Sequence, residues 1–128
     1  MKSPLTAVVV DDDQQLREVI KSLLESLDVQ VVADASNGVE GVAAYRQHNP
    51  SLLLLDFYMP QMDGLQALKA VLAEDAQAIV VMLSSVPGPG DTVIDDCLMA
   101  GATDWIRKDL SMEQITTQME GLLVKHFA

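Results

Sequence analysis

The chain has 128 residues, enough for one domain that buries a sizeable core, and 49% of them are hydrophobic, which excludes a disordered protein. Nineteen acidic residues against eight basic ones leave a formal net charge of −11, the wrong sign for direct grip on a nucleic-acid backbone. No apolar run is long enough to suggest a membrane span, Met1-Lys2-Ser3-Pro4-Leu5 opens no secretory signal, and the single Cys97 fits a reducing cytoplasm and a small core position on a helix.

In chain order, short apolar runs alternate with helical periods. Leu5–Val10 reads as a strand running into Asp11-Asp12-Asp13, and Leu16, Val19, Ile20, Leu23, Leu24 and Leu27 then recur at helix spacing. Residues 29–33 form a second strand, and Ser36-Asn37-Gly38 turns into a helix carrying Val39, Val42, Ala43 and Tyr45. Asn49-Pro50 closes that helix, because a residue before proline avoids the right-handed α region. Residues 51–56 are apolar up to Asp56, as a parallel strand buried on both faces should be. A third helix carries Leu65, Leu68, Val71 and Leu72, and residues 79–83 form another all-apolar strand before Ser84-Ser85 and the breaker-rich Pro87-Gly88-Pro89-Gly90. The fourth helix shows Val93, Ile94, Cys97 and Leu98 and stops at Gly101; residues 103–107 make the last strand, ending in Arg107-Lys108. Ser111 caps a final helix with Ile115, Met119, Leu122 and Leu123 inward. Most methionines follow these stripes as core, and His48 and His126 read as surface residues near helix ends.

Five strands alternating with five helices imply an α/β fold with one doubly wound parallel sheet. The carboxyl ends of its strands then share one edge, where such sheets bind ligands. Asp11, Asp12, Asp56, Ser84 and Lys108 all lie at strand ends, so carboxylates, a hydroxyl and an ammonium converge in one crevice. Asp13 and Asp63 read instead as helix caps, with Met59-Pro60 shaping the loop between.

Asp56-Phe57-Tyr58-Met59-Pro60-Gln61-Met62-Asp63-Gly64 closely resembles the phosphoacceptor segment of response-regulator receiver domains, the chemotaxis-regulator-like switches of two-component systems. Val8-Val9-Val10-Asp11-Asp12-Asp13 with Arg17, Met82-Leu83-Ser84-Ser85, and residues 100–108 match the family's other strand ends in order. The resemblance implies a flavodoxin-like sheet of order 2-1-3-4-5, with residues 1–128 forming a receiver domain and no effector domain present. It also implies that Asp56 accepts a phosphoryl group from a histidine kinase or phosphotransfer protein. Mg²⁺ would be held directly by Asp12, through water by Asp11, and by Asp56 and the Tyr58 backbone carbonyl. Lys108 would meet the phosphoryl oxygens and Ser84 would donate a hydrogen bond to them. Trp105 falls at an aromatic position that family members use as a conformational reporter; a half-buried structural tryptophan is the other reading.

The chain also departs from the family pattern. Asp109 follows Lys108 where receivers usually have proline, often in a cis bond. Lys-Asp looks like receivers joined to helix-turn-helix transcription domains, whereas Ser84-Ser85 looks like those of chemotaxis methylesterases, so a domain trimmed from either remains an alternative. A second class is a Mg²⁺-dependent aspartyl-nucleophile phosphatase or phosphotransferase. That class would want an acidic residue two places after the nucleophile, where Tyr58 stands, and a substrate cap for which there is no room. A degenerate receiver that only binds partners conflicts with the intact acidic pair, Asp56 and Lys108. The expectation is therefore a cytoplasmic switch, not an enzyme on external substrate, contacting neither nucleic acid nor membrane, and monomeric or dimerising on phosphorylation.

Overall fold

Leu5–Val10 forms β1, the strand around which the computed structural model is organised; the structure describes residues 4–59, 61–85 and 92–127. In chain order follow α1 (Gln14–Ser26), β2 (Val29–Ala35), α2 (Gly38–His48), β3 (Leu52–Asp56), α3 (Gly64–Glu74), β4 (Val80–Ser84), α4 (Val93–Ala100), β5 (Asp104–Arg107) and α5 (Met112–Phe127). The sheet has the order β2-β1-β3-β4-β5 with every pair parallel, as the alternating pattern requires. β2 runs two residues further than its apolar stretch suggests. Its register against β1 shifts between Ala7 and Val8, and Asp34 and Ala35 then pair with Val9 and Val10. Strand boundaries elsewhere move by a residue, so that Asp56 and Ser84 are the last residues of β3 and β4.

The pleat divides the central strands between two core layers. Val8, Val10, Leu53, Leu55, Val80 and Met82 face one layer with Val42, Tyr45, Leu68, Val71 and Cys97. Val9, Leu52, Leu54, Val81, Leu83 and Ile106 face the other with Ile20, Leu24, Ile115 and Met119. Leu52, Leu54 and Leu55 are wholly buried, and truncating any of them to alanine would cost about 2–5 kcal/mol.

Several stripe positions turn out differently from the periodic reading. Val39 and Ala43 point outward, and the inner face of α2 is Gly38, Gly41, Val42 and Tyr45. The helix lies so close to β1 that a Cβ at Gly41 would press into the Val10 side chain, and glycine carries no hydrophobic signal by which sequence could reveal this. Val19 and Leu98 sit on the rims of their helices at 38% and 40% exposure, because each helix covers the sheet with only one narrow face. Met82 and Met119 are core, but Met99 and Met112 are exposed. Cys97 is fully buried, as expected of a small core residue.

The local signals for helix ends are realised. Asn37 accepts a hydrogen bond from Glu40 N at 2.9 Å, Asp63 and Gln66 form a reciprocal capping box, and Ser111 and Gln114 do the same at α5. Asn49 closes α2 in the left-handed region at φ 44°, and Gly101 ends α4 at φ 118°. Pro60 and the Pro87–Gly90 segment lie outside the described residues. Among the described residues no helix is long and apolar enough to cross a membrane.

Candidate functional site

The strand ends bring Asp11, Asp12 and Asp56 together, with one carboxylate oxygen from each lying within 4.8 Å of the others. Asp11 and Asp56 are buried and Asp12 is exposed. Asp11 leaves β1 with every polar atom engaged. Its N–H donates to Ala35 O at 3.1 Å, its carbonyl accepts from Arg17 Nη1 at 2.7 Å, and its Oδ1 accepts from Asp13 N at 2.9 Å. Its Oδ2 is buried without a hydrogen bond, and its partner is the Lys108 ammonium in an ion pair at 2.9 Å. Asp13 is the cap of α1, accepting from Leu16 N at 3.2 Å, and takes no part in the cluster.

Lys108 is not the solvated charge that it would be in isolation. β5 ends one residue before it, and its N–H donates to Ser84 O at 2.8 Å, which ties its backbone to the end of β4. Its side chain is only 17% exposed and lies between Asp11 and Asp56, with Nζ 3.1 Å from Asp56 Oδ1. Burial works to lower the Lys108 pKa, but the Asp11 and Asp56 carboxylates overcome it and hold the ammonium above its ordinary value. The Asp56 pKa is raised as well, pushed up to about 6 by burial and by the neighbouring Asp11, with Lys108 opposing. At neutral pH Asp56 is therefore mainly ionised but strained by its surroundings.

The loop after β3 depends on close backbone approach. Gly64 N donates to Phe57 O at 2.7 Å, and a Cβ on Gly64 would collide with the Asp56 carbonyl oxygen and the Phe57 Cα. The glycine after the capping aspartate thus seats the start of α3 directly under Asp56. Tyr58 projects outward at 63% exposure, its ring edge-on to Phe57 with centroids 4.7 Å apart. Ser84 is buried, and its hydroxyl donates to Ser85 O at 3.1 Å. Trp105 is half-buried on β5 opposite Met82. Asp109, in the place of the usual proline, accepts two hydrogen bonds from Arg107 at 3.0 and 3.2 Å, and no described peptide bond is cis.

Two residues carry more than the sequence reading assigned them. Arg17 reaches back from α1 to the Asp11 carbonyl while its Nε donates to Asp34 Oδ2 at 2.9 Å. Asp34 follows the apolar stretch 29–33 directly, and its place at the end of that stretch is the signal the sequence offers for it. His126 is half-buried rather than on the surface, with Nε2 3.6 Å from Asp104 Oδ2, far from the acidic cluster at the opposite end of β5. His48 is exposed as expected.

An acidic crevice with a partly buried ammonium, at the carboxyl edge of a 2-1-3-4-5 sheet, defines a doubly wound domain of the receiver class. The sequence profile of the response regulator receiver domain matches residues 7–120, and the chain belongs to that family. It is 37% identical to the chemotaxis protein CheY of Listeria monocytogenes over 116 residues, covering 91% of this chain and 96% of that one. Against the CheY of Bacillus subtilis the identity is 40% over 108 residues, or 84% and 88% of the two chains. A protein-glutamate methylesterase/protein-glutamine glutaminase of Nitratidesulfovibrio vulgaris is also 40% identical, but the match covers only 29% of its length. Among solved structures, the response regulator domain of Thermotoga maritima CheB superposes with a TM-score of 0.86 at 28% identity, covering 97% of this chain and 96% of that one. CheY in the CheX-CheY-BeF3-Mg complex of Borrelia burgdorferi gives 0.83 at 27% identity, with 94% and 90% covered. The chain is accordingly a chemotaxis-like signalling switch of two-component systems, with a flavodoxin-like fold.

Proposed function

We propose that Asp56 accepts a phosphoryl group from a histidine kinase or phosphotransfer protein and that the modified domain is read by a downstream protein. The observation that carries this reading is the position of Lys108, whose ammonium is shared between Asp11 and the buried Asp56. Such an arrangement keeps a carboxylate nucleophile ionised in a site that otherwise disfavours its charge.

The donor set favours a hard divalent cation, Mg²⁺. All candidate ligands are carboxylate or carbonyl oxygens, and one oxygen from each of Asp11, Asp12 and Asp56 lies within 4.8 Å of the others. Asp12 would hold the ion directly and Asp11 through water, with Asp56 and the Tyr58 backbone carbonyl supplying further oxygens. Once bound, the cation supplies charge neutralisation between the carboxylate and the incoming phosphoryl group. The rest belongs to the chain's own side chains. An Asp56 carboxylate oxygen forms the bond to phosphorus as the bond from phosphorus to the donor imidazole nitrogen breaks, and that nitrogen keeps the electron pair. Lys108 balances charge on the phosphoryl oxygens, and the Ser84 hydroxyl exchanges the Ser85 carbonyl for one of them. Trp105, on the neighbouring strand, follows that movement.

In this reading residues 1–128 act as a receiver and not as an enzyme on external substrate, in the cytoplasm, with Mg²⁺ as the only cofactor. The domain is monomeric or dimerises on phosphorylation, and it signals through protein contact without binding nucleic acid or membrane. The likeness to CheY in its complex with CheX supports a switch acting by protein contact. Incubation with acetyl phosphate and Mg²⁺ followed by intact-mass measurement tests the proposal. A phosphoryl adduct on the wild type that is absent from Asp56→Asn is expected; no adduct, or one retained in the variant, would overturn it.

A further inference from the structure

We infer that Arg17 is a positioning residue for the cation site, acting through the Asp11 carbonyl and braced by Asp34; this rests on the metal-dependent reading above. Asp12 is the exposed member of the cluster, and its side chain makes no hydrogen bond to any described residue. The direction of its Cα–Cβ bond is therefore set by its backbone alone. The peptide plane joining Asp11 to Asp12 carries the Asp11 carbonyl at one edge, and rotation of that plane swings the Asp12 Cα–Cβ bond. That carbonyl is held by Arg17 Nη1 at 2.7 Å.

Arg17 is itself well anchored. Its backbone belongs to the first turn of α1, where its N–H donates to Asp13 O at 2.9 Å, and its side chain is only 13% exposed. Its Nε donates to Asp34 on β2, so one planar guanidinium ties α1 and β2 to the exit of β1. Lys21 approaches the same aspartate at 3.6 Å but makes no contact with Asp11. A lysine at position 17 would keep the charge but lose the rigid fork that reaches both partners.

Positioning and plain electrostatics make opposite forecasts. A guanidinium bonded to the Asp11 carbonyl beside the acidic cluster opposes the arrival of another cation, so charge alone says that removing it tightens divalent binding. If Arg17 aims Asp12, removing it weakens binding instead. Mg²⁺ titrations of Arg17→Gln and Arg17→Lys, followed by Trp105 fluorescence and by isothermal calorimetry, separate the two, with thermal melting in EDTA to verify folding. Both variants are expected to bind Mg²⁺ about tenfold more weakly than wild type, the glutamine variant despite its lost positive charge. In metal-free protein, the Asp12 and Asp13 amides of both variants should also exchange faster with solvent. Tighter binding by Arg17→Gln, or unchanged affinity and exchange in Arg17→Lys, would overturn the inference while leaving the phosphoacceptor proposal intact. Failure of the wild type to bind Mg²⁺ at all would overturn both.

Discussion

Replacing Asp56 by asparagine in metal-free buffer should make the domain more stable, and the size of the gain follows from the site. Burial first, and then Asp11, raise the Asp56 pKa from 3.8 to about 6, so the folded state holds a proton that the unfolded chain has already released. Between those values the native state binds more protons, so stability falls as pH rises and the loss is complete above about pH 6. The difference corresponds to about 3 kcal/mol at pH 7.5. Asparagine keeps one oxygen acceptor but gives up the ion pair with Lys108, so the expected net gain is about 1–3 kcal/mol, or about 3–10 °C in melting temperature for a domain of this size. Melts by circular dichroism in EDTA from about pH 4 to pH 8 provide the measurement. The difference between variant and wild type cancels the other carboxylates; it should be small at the acid end and grow through pH 6. Added Mg²⁺ should then stabilise the wild type more than the variant. A variant that melts at or below the wild type at pH 7.5, or a difference independent of pH, would refute the reasoning.

Gly121→Ala should stabilise α5 by up to about 1 kcal/mol, because a Cβ there meets nothing within 4 Å and alanine is the better helix former; chemical denaturation checks it. Gly64→Ala should cost several kcal/mol by the same assay, since the backbone of Asp56 and Phe57 cannot give way as a flexible side chain would. Lys108→Ala should lower the melting temperature, leaving the wholly buried Asp11 without its counter-ion, yet still permit Mg²⁺-dependent phosphorylation while abolishing the Trp105 response to beryllofluoride. Ser84→Ala should be phosphorylated as readily as the wild type by intact mass, with the amide shifts of β5 on beryllofluoride binding much reduced.

How far sequence carries depends on whether a residue's role is local or arises from packing. Helix caps are local, so Asp13, Asn37, Asp63, Gly101 and Ser111 can be placed from their neighbours alone. The all-apolar strands are equally legible, because burial on both faces leaves no polar alternation to confuse the pattern. The inner face of α2 is only half legible: Val42 and Tyr45 belong to its apolar pattern, whereas Gly38 and Gly41 stand there for closeness rather than hydrophobicity. In the site, strand-end geometry brings Asp11, Asp12 and Asp56 together as the motif implies. The placement of Lys108 between two carboxylates and the reach of Arg17 to Asp34 are tertiary facts, arising from side chains 17 to 97 positions apart in the chain.

The resting position of Lys108 changes what the acidic cluster means energetically. Three carboxylates alone would repel strongly, but the shared ammonium leaves the ionised group with two net negative charges, which one divalent cation balances. Converting the Asp56 carboxylate into an acyl phosphate adds about one further negative charge in the same buried space. In the proposed phosphorylated state Lys108 would turn toward the phosphoryl oxygens, which would remove the partner of the Asp11 Oδ2 and leave an excess for dipoles to absorb. A donor of that kind at the neighbouring strand end is the Ser84 hydroxyl, whose present bond to Ser85 O is a neutral one. A hydrogen bond to a charged acceptor is roughly twice as strong as a neutral pair. On the proposed phosphorylation of Asp56, charge balance would therefore supply the force that turns Ser84 inward. Because Lys108 N is bonded to Ser84 O, and Trp105 lies three residues earlier on the strand leading to Lys108, such a movement at Ser84 would be passed to β5 through the backbone itself.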